Sequence, residues 1–299
     1  MTPFLLLTKR HIKLFFKDKG MFFTSLITPA ILLVLYGFFL KDIYHDNLTA
    51  AMPEPLTLSS SLIDGLVAGQ LISSILAVSC VTVAFCSNFL MVQDKANGTI
   101  RDLTITPVKP AALSMSYYLA SFLSTLLICL VATALCLLYT YMTGWYLSGA
   151  DVALLLLDVV LLVLFGTALS SLINFFLSTQ GQISAVGTIV SAGYGFICGA
   201  YMPISFFGGG LQKVLSLLPG TYATSLVRSH AMRGALTAMQ NEGLPTELIE
   251  GLRDSLDCNL YWSGSLVTDG AKYVIIGAAI LLLVIAYIAV YTAKRRLRR

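Results

Sequence analysis

An all-α membrane protein is the fold class this sequence predicts, and three observations predict it. Apolar residues make up 57% of the 299 and charged residues only 11%, where a soluble domain carries about 25% charged residues. A soluble chain of this length could not hide so much apolar surface, and a mean hydropathy of +0.83 points to lipid as the solvent. Six segments reach the roughly 20 mostly apolar residues that a membrane helix needs. Lys and Arg gather in three segments that an even number of spans places on one side. The spans run through the whole chain, so residues 1–299 are read as one membrane domain.

The six transmembrane helices are expected over 21–40, 66–92, 113–143, 152–177, 183–202 and 271–292. The first follows a basic segment, as the core of a signal peptide would. At 20 residues it exceeds an h-region of about 7–15, and no A-x-A site follows, so it reads as a retained helix. The second and third are long enough to tilt or to extend beyond the bilayer. The fifth is rich in Gly and Ser. Its Gly195 and Gly199 form a small-xxx-small pair suited to close packing, within one subunit or between two.

Residues 1–19 form a separate unit. At 100° per residue Lys9, Arg10, Lys13 and Lys17 share one face, while Phe4, Leu7, Leu14 and Phe15 gather on another. This is the pattern of an amphipathic interfacial helix lying on the bilayer, with its lysines among anionic headgroups. The same basic residues help to set orientation. The segment before the first span, the loop holding Lys95, Arg101 and Lys109, and the tail holding Lys294, Arg295, Arg296, Arg298 and Arg299 contain thirteen of the nineteen basic residues. With six spans all three lie in the cytoplasm, together with both termini. Five spans would put one basic terminus outside.

The external segments differ in weight. The stretch 41–65 is polar and carries Pro53 and Pro55, 144–151 is short, and 203–270 is long and structured. Within the last, a short apolar helix over 211–218 ends at Pro219-Gly220 and is too brief to span, so it is expected to dip in and return. Such backbone is tolerated at depth where protein or water covers it. A helix is expected over 222–239, and an amphipathic one over 246–256 with Leu248, Leu252 and Leu256 in line. Trp145, Tyr146, Tyr261 and Trp262 are placed as interface anchors.

The most informative stretch is 93–110, QDKANGTIRDLTITPVKP. Gly98-Thr99 offers a turn and a cap. Leu103 and Ile105 face the cytoplasm, and Pro107 and Pro110 close the segment. A short apolar and basic helix at that surface calls for a groove on a partner protein.

The order Asp94, Gly98, Thr99, Leu103, Thr106, Pro107 resembles the coupling helix in the first cytoplasmic loop of ABC-2 type transporter permeases. Gly199-Ala-Tyr-Met-Pro203, followed by Leu218-Pro219, is similar to that family's external re-entrant hairpin, and the basic N-terminal helix is similar to its connecting helix. The resemblance implies a transport subunit that pairs with a second permease copy or homologue. Two cytoplasmic ABC ATPase subunits that use ATP and Mg bind beneath it. Asp94, Gly98, Thr99, Arg101, Leu103, Thr106 and Pro107 would couple to the ATPase, with Lys9, Arg10, Lys13 and Lys17 on the connecting helix. Gly199, Pro203 and Pro219 would mark the re-entrant segment. No G-x-x-x-x-G-K-[ST] loop occurs, so the chain itself has no usual cradle for ATP phosphates. No cofactor of its own and no nucleic-acid partner are expected.

Ionisable groups within spans are functional hypotheses by default. Asp158 is the one acid well inside a span, and with Asn88 and Asn174 it is a candidate for a substrate path. An interfacial position for Asp158, and interhelical hydrogen bonding for Gln70, Asn88 and Asn174, are the structural alternatives. His11, His45 and His230 show no ligand spacing, and no CxxC or Cys/His cluster marks a metal site or disulfide framework. The six cysteines read as small buried hydrophobes.

The leading reading is an ATP-driven exporter of a drug, toxin, antimicrobial peptide or lipid-like compound, in a plasma membrane of bacterial inner-membrane type. A polysaccharide or teichoic-acid exporter is the alternative within the family. A gradient-driven carrier would show several mid-membrane charges and inverted repeats. A membrane enzyme would show paired acids or a metal motif.

Overall fold

The computed structural model describes residues 3–51, 59–262 and 264–296. Pro53, Pro55, Arg298 and Arg299 lie outside the described residues, as do the side chains of Lys294, Arg295 and Arg296. The chain folds as α1 (Pro3–Lys17), then α2 (Lys19–Leu35), which continues through a π-helical turn (Tyr36–Leu40) into α3 (Lys41–Ala51). There follow α4 (Ser60–Ala96), α5 (Thr99–Ile105), α6 (Pro110–Thr143), α7 (Gly149–Phe176) and α8 (Gln180–Ile197). A 3-10 turn (Ile204–Phe206) leads to α9 (Gly209–Leu215), α10 (Pro219–Asn241) and α11 (Thr246–Ser255). A two-stranded hairpin of β1 (Tyr261–Trp262) and β2 (Ser265–Leu266) precedes α12 (Asp269–Arg296).

Among the described residues five helices are long and apolar enough to cross a membrane: Lys19–Asp46, Ser60–Ala96, Pro110–Thr143, Gly149–Phe176 and Asp269–Ala293. They cover five of the six expected spans to within one residue. The expected span at 183–202 coincides with α8, which is 18 residues long. Its Gln, Ser, Thr and Gly residues keep it from qualifying by length and composition.

The architecture is organised around α4. The most apolar eighteen-residue stretch of α4 is wholly buried, while α2, α6, α7, α8 and α10 pack around it. A helix apolar on all sides is stable only when surrounded. The outer helices carry large apolar side chains outward instead, among them Phe23, Ile27 and Ile31 on α2, Leu127 and Leu135 on α6, and Leu281, Leu282 and Ile285 on α12. These form the face that lipid would cover.

α10 runs antiparallel to α4. Its first turn lies against Tyr194 of α8 at Gly220, and Gly69 of α4 faces Ala231. Arg228 reaches both Ser74 Oγ and the Gly199 carbonyl. The limb of the 203–270 region that packs into the bundle is α10, while the short helix expected over 211–218 forms as α9. Leu215 is the one buried residue of α9. Pro219 begins α10, a position where its missing N–H costs nothing, rather than only ending what precedes it. Gly199 turns the chain with φ +75°, and Gly195 lies under the Tyr201 ring, so this glycine pair serves chain reversal within the subunit. On α11 the inward residue is Ile249 while Leu248 points outward. Tyr146 is not an outward anchor: its ring covers Gly65 and its hydroxyl lies 3.2 Å from Ser61 Oγ. Trp145, Tyr261 and Trp262 are exposed, and all six cysteines are buried and free, Cys258 included.

Close backbone approach makes a testable contrast. A Cβ on Gly234 would collide with the Tyr146 carbonyl, whereas one on Gly251 of α11 meets open space. Gly234→Ala is expected to cost about 1–3 kcal/mol through overpacking, lowering the midpoint of thermal unfolding in detergent. Gly251→Ala should raise that midpoint by the helix-propensity gain of up to ~1 kcal/mol.

Candidate functional site

The sequence pattern that singles out 93–110 folds into a helix–turn–helix at the basic end of the bundle. α4 stops at Asn97, whose N–H donates to the Gln93 carbonyl at 2.9 Å. Gly98 takes φ +79°, the left-handed conformation that terminates a helix cheaply only with glycine. Thr99 is the first residue of α5, and Gly98 holds the capping position without a side-chain bond. At the far end Thr106 turns extended, ψ 153°, as the residue before Pro107 must. The Thr106 hydroxyl donates to the Leu103 carbonyl at 2.6 Å.

α5 has two faces. Ile100 and Leu103, with Val108 beyond the helix, pack on a cluster that includes Leu113 and Tyr117 of α6 and Leu7 of α1. Leu103 thus faces the bundle, contrary to the expectation that it faces outward with Ile105. Arg101, Asp102, Thr106 and Pro107 are exposed, and Ile105 is 83% exposed. Ile105 thus stands open at the end of a short helix between two turns.

Asp94 does not look outward. It is buried, and it accepts from Arg10 Nη1 at 2.9 Å and from the Tyr117 hydroxyl at 2.6 Å. Arg10 therefore leaves the basic face of α1 and ties that helix to the base of α4, while Lys9, Lys13 and Lys17 remain exposed at four-residue spacing. Thr8, His11 and Phe15 are the buried stripe of α1. The His11 ring lies 3.9 Å from that of Tyr117, and neither of its nitrogens has a hydrogen-bond partner among the described residues. Burial, reinforced by the nearby Arg10 charge, lowers the His11 pKa to about 4.

The intramembrane candidates are not gathered in one place. Asp158 is buried and doubly engaged: its carboxylate lies 2.6 Å from His230 Nδ1 and accepts from the Tyr273 hydroxyl at 2.7 Å. It joins α7 to α10 and α12. Asn88 donates to Ser170 and Ser171 of α7. The Asn174 amide is fully buried without a partner among the described residues. Sequence reasoning set His230 aside and did not single out Arg228 or Arg233. Arg228, fully buried, donates to the carbonyls of Leu256 and Gly199 near Asp257, and Arg233 pairs with Asp151. No spacing signal could have found these pairs, whose members stand far apart in sequence. Pro203 is buried beside Ile204, whose N–H donates to Asp257. Among the described residues no cluster of His, Cys, Asp and Glu could hold a metal ion.

A family model described as ABC-2 type transporter matches residues 2–231, more than three quarters of the chain and inclusive of α1, the α4–α5 turn and the first half of α10. Comparison with curated proteins gives no significant match.

Because the folded-state pKa of His11 lies below its ordinary value of about 6.5, the unfolded chain binds the proton first. Stability is full above about pH 6.5 and falls as pH drops toward 4. His11→Gln should flatten this part of the curve of unfolding midpoint against pH. A double-mutant cycle on Arg10→Gln and Asp94→Asn should give a coupling of about 1 kcal/mol, since Arg10 is partly exposed.

Proposed function

The chain belongs to the ABC-2 type transporter family, and from that premise we propose that it is the permease of an ATP-driven exporter. As a permease of this family it is a multi-pass membrane protein whose energy comes from an ATPase partner. The observation that carries the proposal is α5: a seven-residue helix fixed to the bundle by Ile100 and Leu103, with Ile105 turned outward. α5 takes the ATPase contact, α1 is the connecting helix at the bilayer surface, and α10 is the re-entrant limb. α8 is the sixth span, which places both termini and α5 in the cytoplasm of a plasma membrane of bacterial inner-membrane type. ATP and Mg belong to the ATPase, and a second copy or a homologue completes the transporter.

The cargo class is a drug, toxin, antimicrobial peptide or lipid-like compound. The engagement of Asp158 by His230 and Tyr273 supports it over a transported cation. That engagement leaves Asp158 poorly placed to bind a transported cation.

Purification of the tagged chain from its native membrane in mild detergent is expected to recover a Walker-type ATPase in stoichiometric amount, with ATPase activity. Ile105→Asp should reduce that recovery at least severalfold while membrane insertion is unchanged, as loss of a buried apolar anchor costs about 2 kcal/mol or more. Recovery of the folded chain alone would contradict the proposal.

A further inference from the structure

Asp94 and Lys95 are neighbours at the base of α4 and reach in different directions. Asp94 holds Arg10 of α1 and Tyr117 of α6. The Lys95 ammonium donates to three backbone carbonyls at the end of α7: Asn174 at 3.0 Å, Phe175 at 2.6 Å and Leu177 at 3.0 Å. An ammonium has three donors, and here it meets three acceptors at the negative end of a 28-residue helix, where a cation is favoured. It also stands 5.1 Å from the centre of the Phe175 ring.

Two features make this more than a helix cap. Lys95 lies three residues before Gly98, so a displacement of α5 acts on it with almost no intervening chain. α7 and α8 are separated only by residues 177–179, and that joint is stiff. Gln182 Oε1 accepts from the N–H groups of Ser178 and Thr179, and Thr179 Oγ1 accepts from Gln182 N. A shift at the end of α7 is therefore passed on at the start of α8. At its other end α8 meets Gly199, whose carbonyl is held by Arg228 of α10.

We propose that Lys95 is the positioning residue that carries movement of α5 into the α7–α8 joint, so that α8 and the re-entrant α10 respond to the ATPase. The proposal rests on the reading of α5 as the ATPase contact. Asp94 would serve the opposite side of the bundle through α1 and α6, so the two adjacent charges divide one input between two sets of helices.

Hydrogen–deuterium exchange on the full chain in complex with its ATPase tests this, comparing the nucleotide-free and vanadate-trapped states. In the wild type, trapping should change exchange in residues 99–107 and in 176–183. In Lys95→Met the change at 99–107 should persist while that at 176–183 falls by roughly threefold or more, and Lys95→Arg should restore it in large part. An undiminished joint response in Lys95→Met would overturn the proposal. So would a loss of protection along the whole of α7 already present without nucleotide, which marks a structural cap only. Absence of any change at 99–107 in the wild type would instead overturn the reading of α5 itself.

Discussion

The packing of α4 decides where everything else can stand. In lipid there is no hydrophobic drive between helices, so association depends on close contact and on polar bonds. α4 supplies both. Its small residues admit neighbours at backbone distance, as where Gly69 meets the Ala231 backbone of α10. Its hydroxyls and amides find partners across helices, as Ser87 does with Thr125 and Asn88 with Ser170. A helix enclosed in this way cannot move without its neighbours. Force delivered at its base therefore has a short route to α1 and α6 through Asp94, and to α7 through Lys95.

The two ends of α4 are built differently, which suits a part driven from one end. At the basic end a two-residue turn passes directly into α5, and the contacts are few and directional. At the other end α10 lies along α4, and α10 is held to three partners: His230 bonds to Asp158 on α7, the half-exposed Arg233 pairs with Asp151 at the start of α7, and the fully buried Arg228 pairs with Asp257 after α11. Removing one member of a buried pair leaves an uncompensated charge. The pairs therefore fix α10 in register even though its own apolar content is modest.

That contrast also explains what could be read from the sequence. The helical class, five of the six spans, the amphipathic α1 and the turn at Gly98 were legible because each depends on composition or local spacing. α10 was expected as a helix, but its burial was hidden by Arg228, His230 and Arg233, since composition counts a charge and not the partner that satisfies it. Asp94 illustrates the same limit from the other side. In sequence it reads as part of the cytoplasmic loop, yet it lies in the last turns of α4, where its bond to Arg10, 84 positions away, turns it inward. The directions of Leu103 and Leu248 were missed because helical spacing names a stripe without saying which neighbour it meets. Of the candidate site, the outward face at Ile105 was foreseen and the inward ties at Asp94 and Lys95 were not.

The central claim is that Ile105, at the tip of α5, is where the ATPase touches this permease. Placing a photo-crosslinking residue at position 105, and separately at the exposed Leu266 of the hairpin, tests it in native membranes. The account predicts an adduct between position 105 and an ATP-binding subunit, and none from position 266. Irradiation that leaves position 105 without such an adduct, or that yields it equally from position 266, would contradict the account.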